Sequence, residues 1–132
     1  MIVPSHIKFM KGTIFMANFL FVYRGGNDDF EKMTPDEIQG LMKKWTDWIG
    51  EGFAKGWMID AGDALTPEGK VVDANKVVTD GPFVESKEIV GGFSIVSADS
   101  IAAAAELAKG CPQLLSGGKV EVRTLAGLTA KN

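Results

Sequence analysis

Tyr23 and Arg24 stand side by side immediately before Gly25-Gly26. A guanidinium next to a phenol is a pairing that binds a carboxylate or enolate oxygen. The alternative is an arginine paired with a neighbouring acid, as strand-end arginines commonly are. Arg123 lies on the charged side of a terminal strand, within reach of a pocket or of a second subunit. Trp45, Trp48 and Trp57 could line an aromatic pocket. The first two fall at helical spacing and read as core, whereas Trp57 opens a strand and is the freer candidate for a ligand contact. Cys111, next to Pro112 and without a histidine partner, reads as a buried structural thiol. Asp60 and Asp63 flank a glycine turn, and two carboxylates alone make a weak metal site. Gly25-Gly26 lacks both the spacing of a dinucleotide fingerprint and a P-loop lysine. Neither a cofactor nor a metal is expected.

These residues need elements to hold them. Phe19, Phe21 and Tyr23 alternate with Leu20, Val22 and Arg24, so 17–24 reads as a strand covered on both faces. Thr34-Pro35-Asp36-Glu37 joins a capping threonine, a proline at the first helical position and a glutamate at the third. Behind it, Ile38, Leu41, Met42, Trp45, Trp48 and Ile49 form one apolar stripe, and Gly56 is the stop. Trp57-Met58-Ile59 is a short strand leading into Asp60-Ala61-Gly62. Val71-Val72 and Val77-Val78 flank Asp73-Ala74-Asn75-Lys76 as a tight hairpin, and Asp80-Gly81-Pro82-Phe83 is a turn by composition. Another strand runs from Gly92 to Val96. Asp99 caps an alanine-rich helix from Ser100 to Lys109, and Gly117-Gly118 precedes a last strand carrying Val120, Val122 and Thr124 on one face. The order is that of a ferredoxin-like α+β fold with an inserted β-hairpin, its helices on one face of an antiparallel sheet. An apolar sheet face left open calls for a second subunit, so a homodimer is expected.

The chain has 132 residues, the size of one domain. Hydrophobic residues make up 45% and charged residues 23%, which excludes a disordered chain. A net charge of −3 argues against nucleic acid as a partner. No apolar run approaches the roughly 20 residues that span a bilayer. One cysteine excludes an internal disulfide and fits a reducing, cytoplasmic setting. Residues 1–15 read as an extension ahead of a single domain over 16–132. Lys8, Lys11 and the stretch from Ile14 to Val22 lack a small-residue cleavage site, so export is rejected. Met16 is a candidate natural start, which the mass of the endogenous protein would check.

Val77-Val78-Thr79-Asp80-Gly81-Pro82-Phe83-Val84-Glu85-Ser86-Lys87-Glu88, with Gly91-Gly92-Phe93 behind it, resembles the signature of the DGPF branch of the YCII-related proteins. Gly110-Cys111-Pro112 and the run Gly117-Gly118 to Val120-Glu121-Val122-Arg123 follow in the same order. The resemblance covers about residues 17–125 and implies a dimeric α+β barrel, two ferredoxin-like protomers packed sheet to sheet. It also implies a pocket, in which a His–Asp pair has been proposed for similar proteins. There the histidine lies on the first helix. Here that helix offers Gln39, Lys43, Lys44 and Trp45, and His6 falls outside the resemblance.

Asp80 is the residue that carries over onto the signature. It has two readings: an acid/base carboxylate at the mouth of a pocket, or turn chemistry in which the carboxylate accepts backbone N–H groups. Glu85, Lys87 and Glu88 read as a solvated charged turn. Two functions follow from this pattern. One is a small lyase or isomerase acting on a cyclic or aromatic acid, with Asp80 moving the proton and Tyr23, Arg24, Trp57 and Arg123 holding the ligand. The other is a non-catalytic homodimeric binding or accessory module.

Overall fold

A computed structural model describes residues 9–10, 13–14, 16–26, 31–81 and 88–128. In chain order the elements are β1 (Phe9–Met10), β2 (Thr13–Ile14), β3 (Ala17–Arg24), α1 (Pro35–Lys55), β4 (Met58–Ala64), β5 (Lys70–Val72), β6 (Val78–Asp80), β7 (Val90–Ala98), α2 (Ile101–Ala108), a 3-10 helix (Pro112–Ser116) and β8 (Lys119–Thr124). Four of the strands form one sheet in the order β4-β7-β3-β8, and every pairing in it is antiparallel. Two helices pack on that sheet. This is the ferredoxin-like α+β arrangement, with β5 and β6 inserted as a separate two-stranded sheet.

Alternation along β3 decides where the core lies. Phe19, Phe21 and Tyr23 are buried on the face that meets α1, while Leu20, Val22 and Arg24 are half-buried on the other. The coverage expected on both faces is therefore complete on one side only, because both helices pack on that side. Register carries the same division across the sheet. Phe19 stands opposite Val96, and Phe21 between Ser94 and Val122. On the open side Leu20 stands between Ile95 and Arg123, and Val22 between Phe93 and Glu121.

α1 begins as its sequence dictates. The Thr34 side chain accepts the Glu37 N–H at 3.1 Å, and the Glu37 carboxylate accepts the Thr34 N–H at 2.8 Å, so two orphan donors are satisfied reciprocally. Gly56 caps the other end in the left-handed region. Close approach of α1 to β4 requires Gly52, since a Cβ there would meet the Met58 Cβ at 2.8 Å. Trp48 reaches the sheet from this helix and packs against Phe21, with ring centroids 6.3 Å apart.

Three boundaries depart from the sequence reading. The strand that opens near Trp57 extends to Ala64, because one irregularity in its pairing with β7 absorbs a residue at Ile59 and a second absorbs one at Ala61-Gly62 without ending it. The strand predicted over Gly92–Val96 runs from Val90 to Ala98. The cap of α2 is Ser100 rather than Asp99, since the Ser100 hydroxyl accepts the Ala103 N–H at 3.0 Å. The β5–β6 hairpin forms as expected. Asp73 accepts the N–H groups of Asn75 and Val77, and Lys76 takes the left-handed position of the turn at φ 66°.

Candidate functional site

Between α1 and the end of the sheet formed by β4 and β7 lies a cleft of about 500 Å³. Its apolar wall comes from Leu41, Trp45 and Ile49 on α1, and its floor from Tyr23, Ser94 and the backbone around Ala61-Gly62 and Gly91-Gly92. Helical spacing sets the wall, as positions 41, 45 and 49 succeed one another every four residues on one face. Glycine makes the floor. Gly62 adopts φ +70° and lies so close to the Phe93 carbonyl that no Cβ fits between them, which brings the backbone of β4 directly over β7.

Tyr23 is 6% exposed and donates its hydroxyl to Ser94 Oγ at 2.7 Å, and Ser94 donates in turn to the Ala61 carbonyl at 2.7 Å. The chain of hydrogen bonds ties β3, β7 and β4 together beneath the cleft. Burial pushes the Tyr23 phenol far up, so it remains a neutral donor. The Trp45 ring meets the Tyr23 ring edge-on at 5.0 Å. At the rim, Gln113 donates from Nε2 to the carbonyls of Arg24 and Gly25, both at 3.0 Å. Asp63 accepts its neighbour's N–H at 2.8 Å, and Asp60 accepts that of Gly62 at 2.8 Å.

Of the five residues put forward as catalytic or ligand-binding, Tyr23 alone lines this cleft among the described residues, and it is joined there by Trp45 and Asp63, which the sequence offered as core and as half of a weak metal site. Arg24 donates from Nε to Glu121 at 2.6 Å and from Nη1 to the Glu88 carbonyl at 2.9 Å. Arg123 reaches the other oxygen of Glu121 at 3.1 Å, so both arginines converge on one carboxylate on the open sheet face. The Arg24 hydrogen bond, followed by that of Arg123, holds the Glu121 carboxyl below its ordinary range. Trp57 packs against Trp48 at 5.3 Å, on the core side of α1. Asp80 ends β6 on the exposed hairpin, where it is ion-paired with Lys70. Pro82, Phe83, Glu85 and Lys87 fall outside the described residues, as does His6. Cys111 is 2% exposed, and burial pushes its thiol up to about 12.

The structure is that of a small α+β domain with a walled cleft. A family model described as the YCII-related domain matches residues 22–126, well over half of the chain. The chain belongs to the YCII-related family. No curated protein matches it. Among the described residues no helix of this YCII-related chain is long and apolar enough to cross a membrane.

Ser94 and Gln113 belong to the site and escaped the sequence reading, whereas Trp45 was among its aromatic-pocket candidates. A signal existed for Ser94, a small polar residue at an inward position between Phe93 and Ile95, two residues after Gly92. Trp45 reads as core from its spacing, and it serves core and cleft together. Gln113 carries no sequence signal, because its role depends on the path of the chain around Gly25.

Proposed function

We propose that this YCII-related protein is a homodimeric binding protein that takes a small, mainly apolar ligand into the cleft beside Tyr23. The observation that carries the reading is the apolar cleft of about 500 Å³, floored by the buried Tyr23–Ser94–Ala61 hydrogen-bond chain. Such a chain fixes the phenol in one orientation before a ligand arrives, which reduces the ordering cost of binding. The test is a fragment screen followed by amide chemical shifts. Ligands are expected to move the resonances of Ala61, Gly91 and Gly92, and Trp45→Ala is expected to weaken them about tenfold or more. Shifts confined to other surfaces would remove the reading.

Dimerisation is supported by the open sheet face, where half-buried Leu20, Val22, Phe93 and Ile95 are bordered by Arg24, Glu121 and Arg123. An apolar centre with a charged border is the composition of a subunit interface.

A lyase or isomerase acting on a cyclic or aromatic acid is the second reading, with Asp80 as the proton carrier. Its support is the Asp80-Gly81 signature within a family fold that holds a cleft. The pairing of Asp80 with Lys70, and of both arginines with Glu121, favours binding over this chemistry. Turnover by the purified protein that disappears in Asp80→Asn would reverse the preference.

A further inference from the structure

Which ligand the cleft accepts depends on the hydrogen bonds its lining still has to offer, and most of its donors are already committed. The Tyr23 hydroxyl is given to Ser94, the Ser94 hydroxyl to Ala61, and both Nε2 hydrogens of Gln113 to Arg24 and Gly25. Four backbone donors of the lining are committed as well. The N–H of Gly25 goes to Ile89 at 2.9 Å, that of Leu65 to Gly91 at 2.9 Å, and those of Gly62 and Ala64 to the Asp60 and Asp63 carboxylates. Among the lining side chains, the Trp45 indole N–H is the one donor with no bond inside the described residues.

The acceptors are free. Asp63 binds a single N–H through one oxygen, and the Gln113 Oε1 accepts nothing among the described residues. The Tyr23 oxygen keeps a lone pair, because its proton is directed at Ser94. Asp63 is also the only charged side chain among the described residues that line the cleft, and it is exposed at the rim. An anion entering here would meet a carboxylate and lone pairs and, among the described residues of the lining, no cation to replace its hydration. A molecule that donates hydrogen bonds meets the reverse.

The geometry points to an amine: a flat apolar ring bearing a primary ammonium group, the ring against Trp45 and Ile49 and the N–H donors directed to the Asp63 and Gln113 acceptors. This rests on the cleft being the ligand site. It replaces the aromatic acid that the neighbouring arginines suggest in the sequence. A positive group beside the indole of Trp45 gains a cation–π contribution in addition.

Three ligands with one ring separate the cases: 2-(1-naphthyl)ethylamine, 2-(1-naphthyl)ethanol and 1-naphthylacetate. Affinity is measured by titration calorimetry, and the place of binding by the amide shifts of Ala61, Gly91 and Gly92. The amine is expected to bind at least tenfold more tightly than the acid, with the alcohol between them. Asp63→Asn keeps an oxygen for the Ala64 N–H, and it is expected to bring the amine down to the alcohol while leaving the alcohol unchanged. An acid that binds in the cleft as tightly as the amine, or a preference that survives Asp63→Asn, overturns the ligand class and leaves the cleft as a binding site. Failure of all three to shift the cleft amides overturns the cleft reading and the amine with it.

Discussion

At the residue scale the molecule turns on a few groups whose surroundings leave them little choice. Removing the Tyr23 hydroxyl deletes one buried hydrogen bond and leaves Ser94 still bound to Ala61. Tyr23→Phe is therefore expected to cost about 1–2 kcal/mol in chemical denaturation while keeping the fold. Gly62→Ala is the harsher change. It combines φ +70° with a Cβ directed into the Phe93 carbonyl, so β4 has to lift from β7, and the expected loss is several-fold greater than that of Tyr23→Phe. Tyr23 was legible in the sequence because alternation along its strand gives it a face. The arginines were legible as charged groups but not as partners of Glu121. That pairing depends on β8 lying beside β3, which joins residues 97 positions apart.

At the scale of elements, α1 carries the most of its own instructions. Capping box, proline and apolar stripe agree, so its start at Pro35 could be read directly from the residues. Thr34→Ala removes one half of the box and is expected to lower stability by about 1 kcal/mol, checked by denaturation, with faster amide exchange confined to the first turn. β4 was the least legible element. Met58-Ile59-Asp60-Ala61-Gly62-Asp63-Ala64 offers neither regular alternation nor β-branched residues beyond Ile59, and it is a strand because β7 supplies the partner. The cleft floor depends on that segment, which is why most of the candidate site stayed hidden. The hairpin of β5 and β6 was visible from its four valines and its Asp-Ala-Asn-Lys turn, since both its hydrogen bonding and its register are local.

For the whole molecule, stability should form a plateau with two limbs set by different groups. Glu121 has its carboxyl lowered by the two arginines, so the folded chain releases this proton more readily than the unfolded one. Its contribution is complete above the ordinary 4.5 and is lost as pH falls through the lowered value. Cys111 has the opposite sign. Its contribution is complete below the ordinary 9.0 and declines as pH rises toward about 12, because the unfolded thiol ionises first. Denaturation midpoints across pH are expected to fall on both sides, with Glu121→Gln flattening the acid limb and Cys111→Ala the first part of the alkaline one, whose remainder above the ordinary 10.0 belongs to the buried Tyr23 phenol. The same Cys111 thiol should react slowly with iodoacetamide in the native protein at pH 8 and rapidly after unfolding. The proposed sheet-to-sheet dimer is checked by sedimentation, where the native chain is expected at twice its mass and Ile95→Lys as a monomer.

β4 also lies at the edge of its sheet, with β7 on one side and no further strand on the other among the described residues. An edge of that kind can recruit a foreign strand. The register breaks between Met58 and Asp60 and again between Asp60 and Asp63 interrupt the even row of backbone groups that such recruitment needs. The irregularity that shapes the cleft floor thus also discourages growth of the sheet by end-on addition of further copies. Removing one residue from the Ala61-Gly62 pair takes out the second of these breaks, and it should sacrifice the cleft and increase association of the chain through this edge.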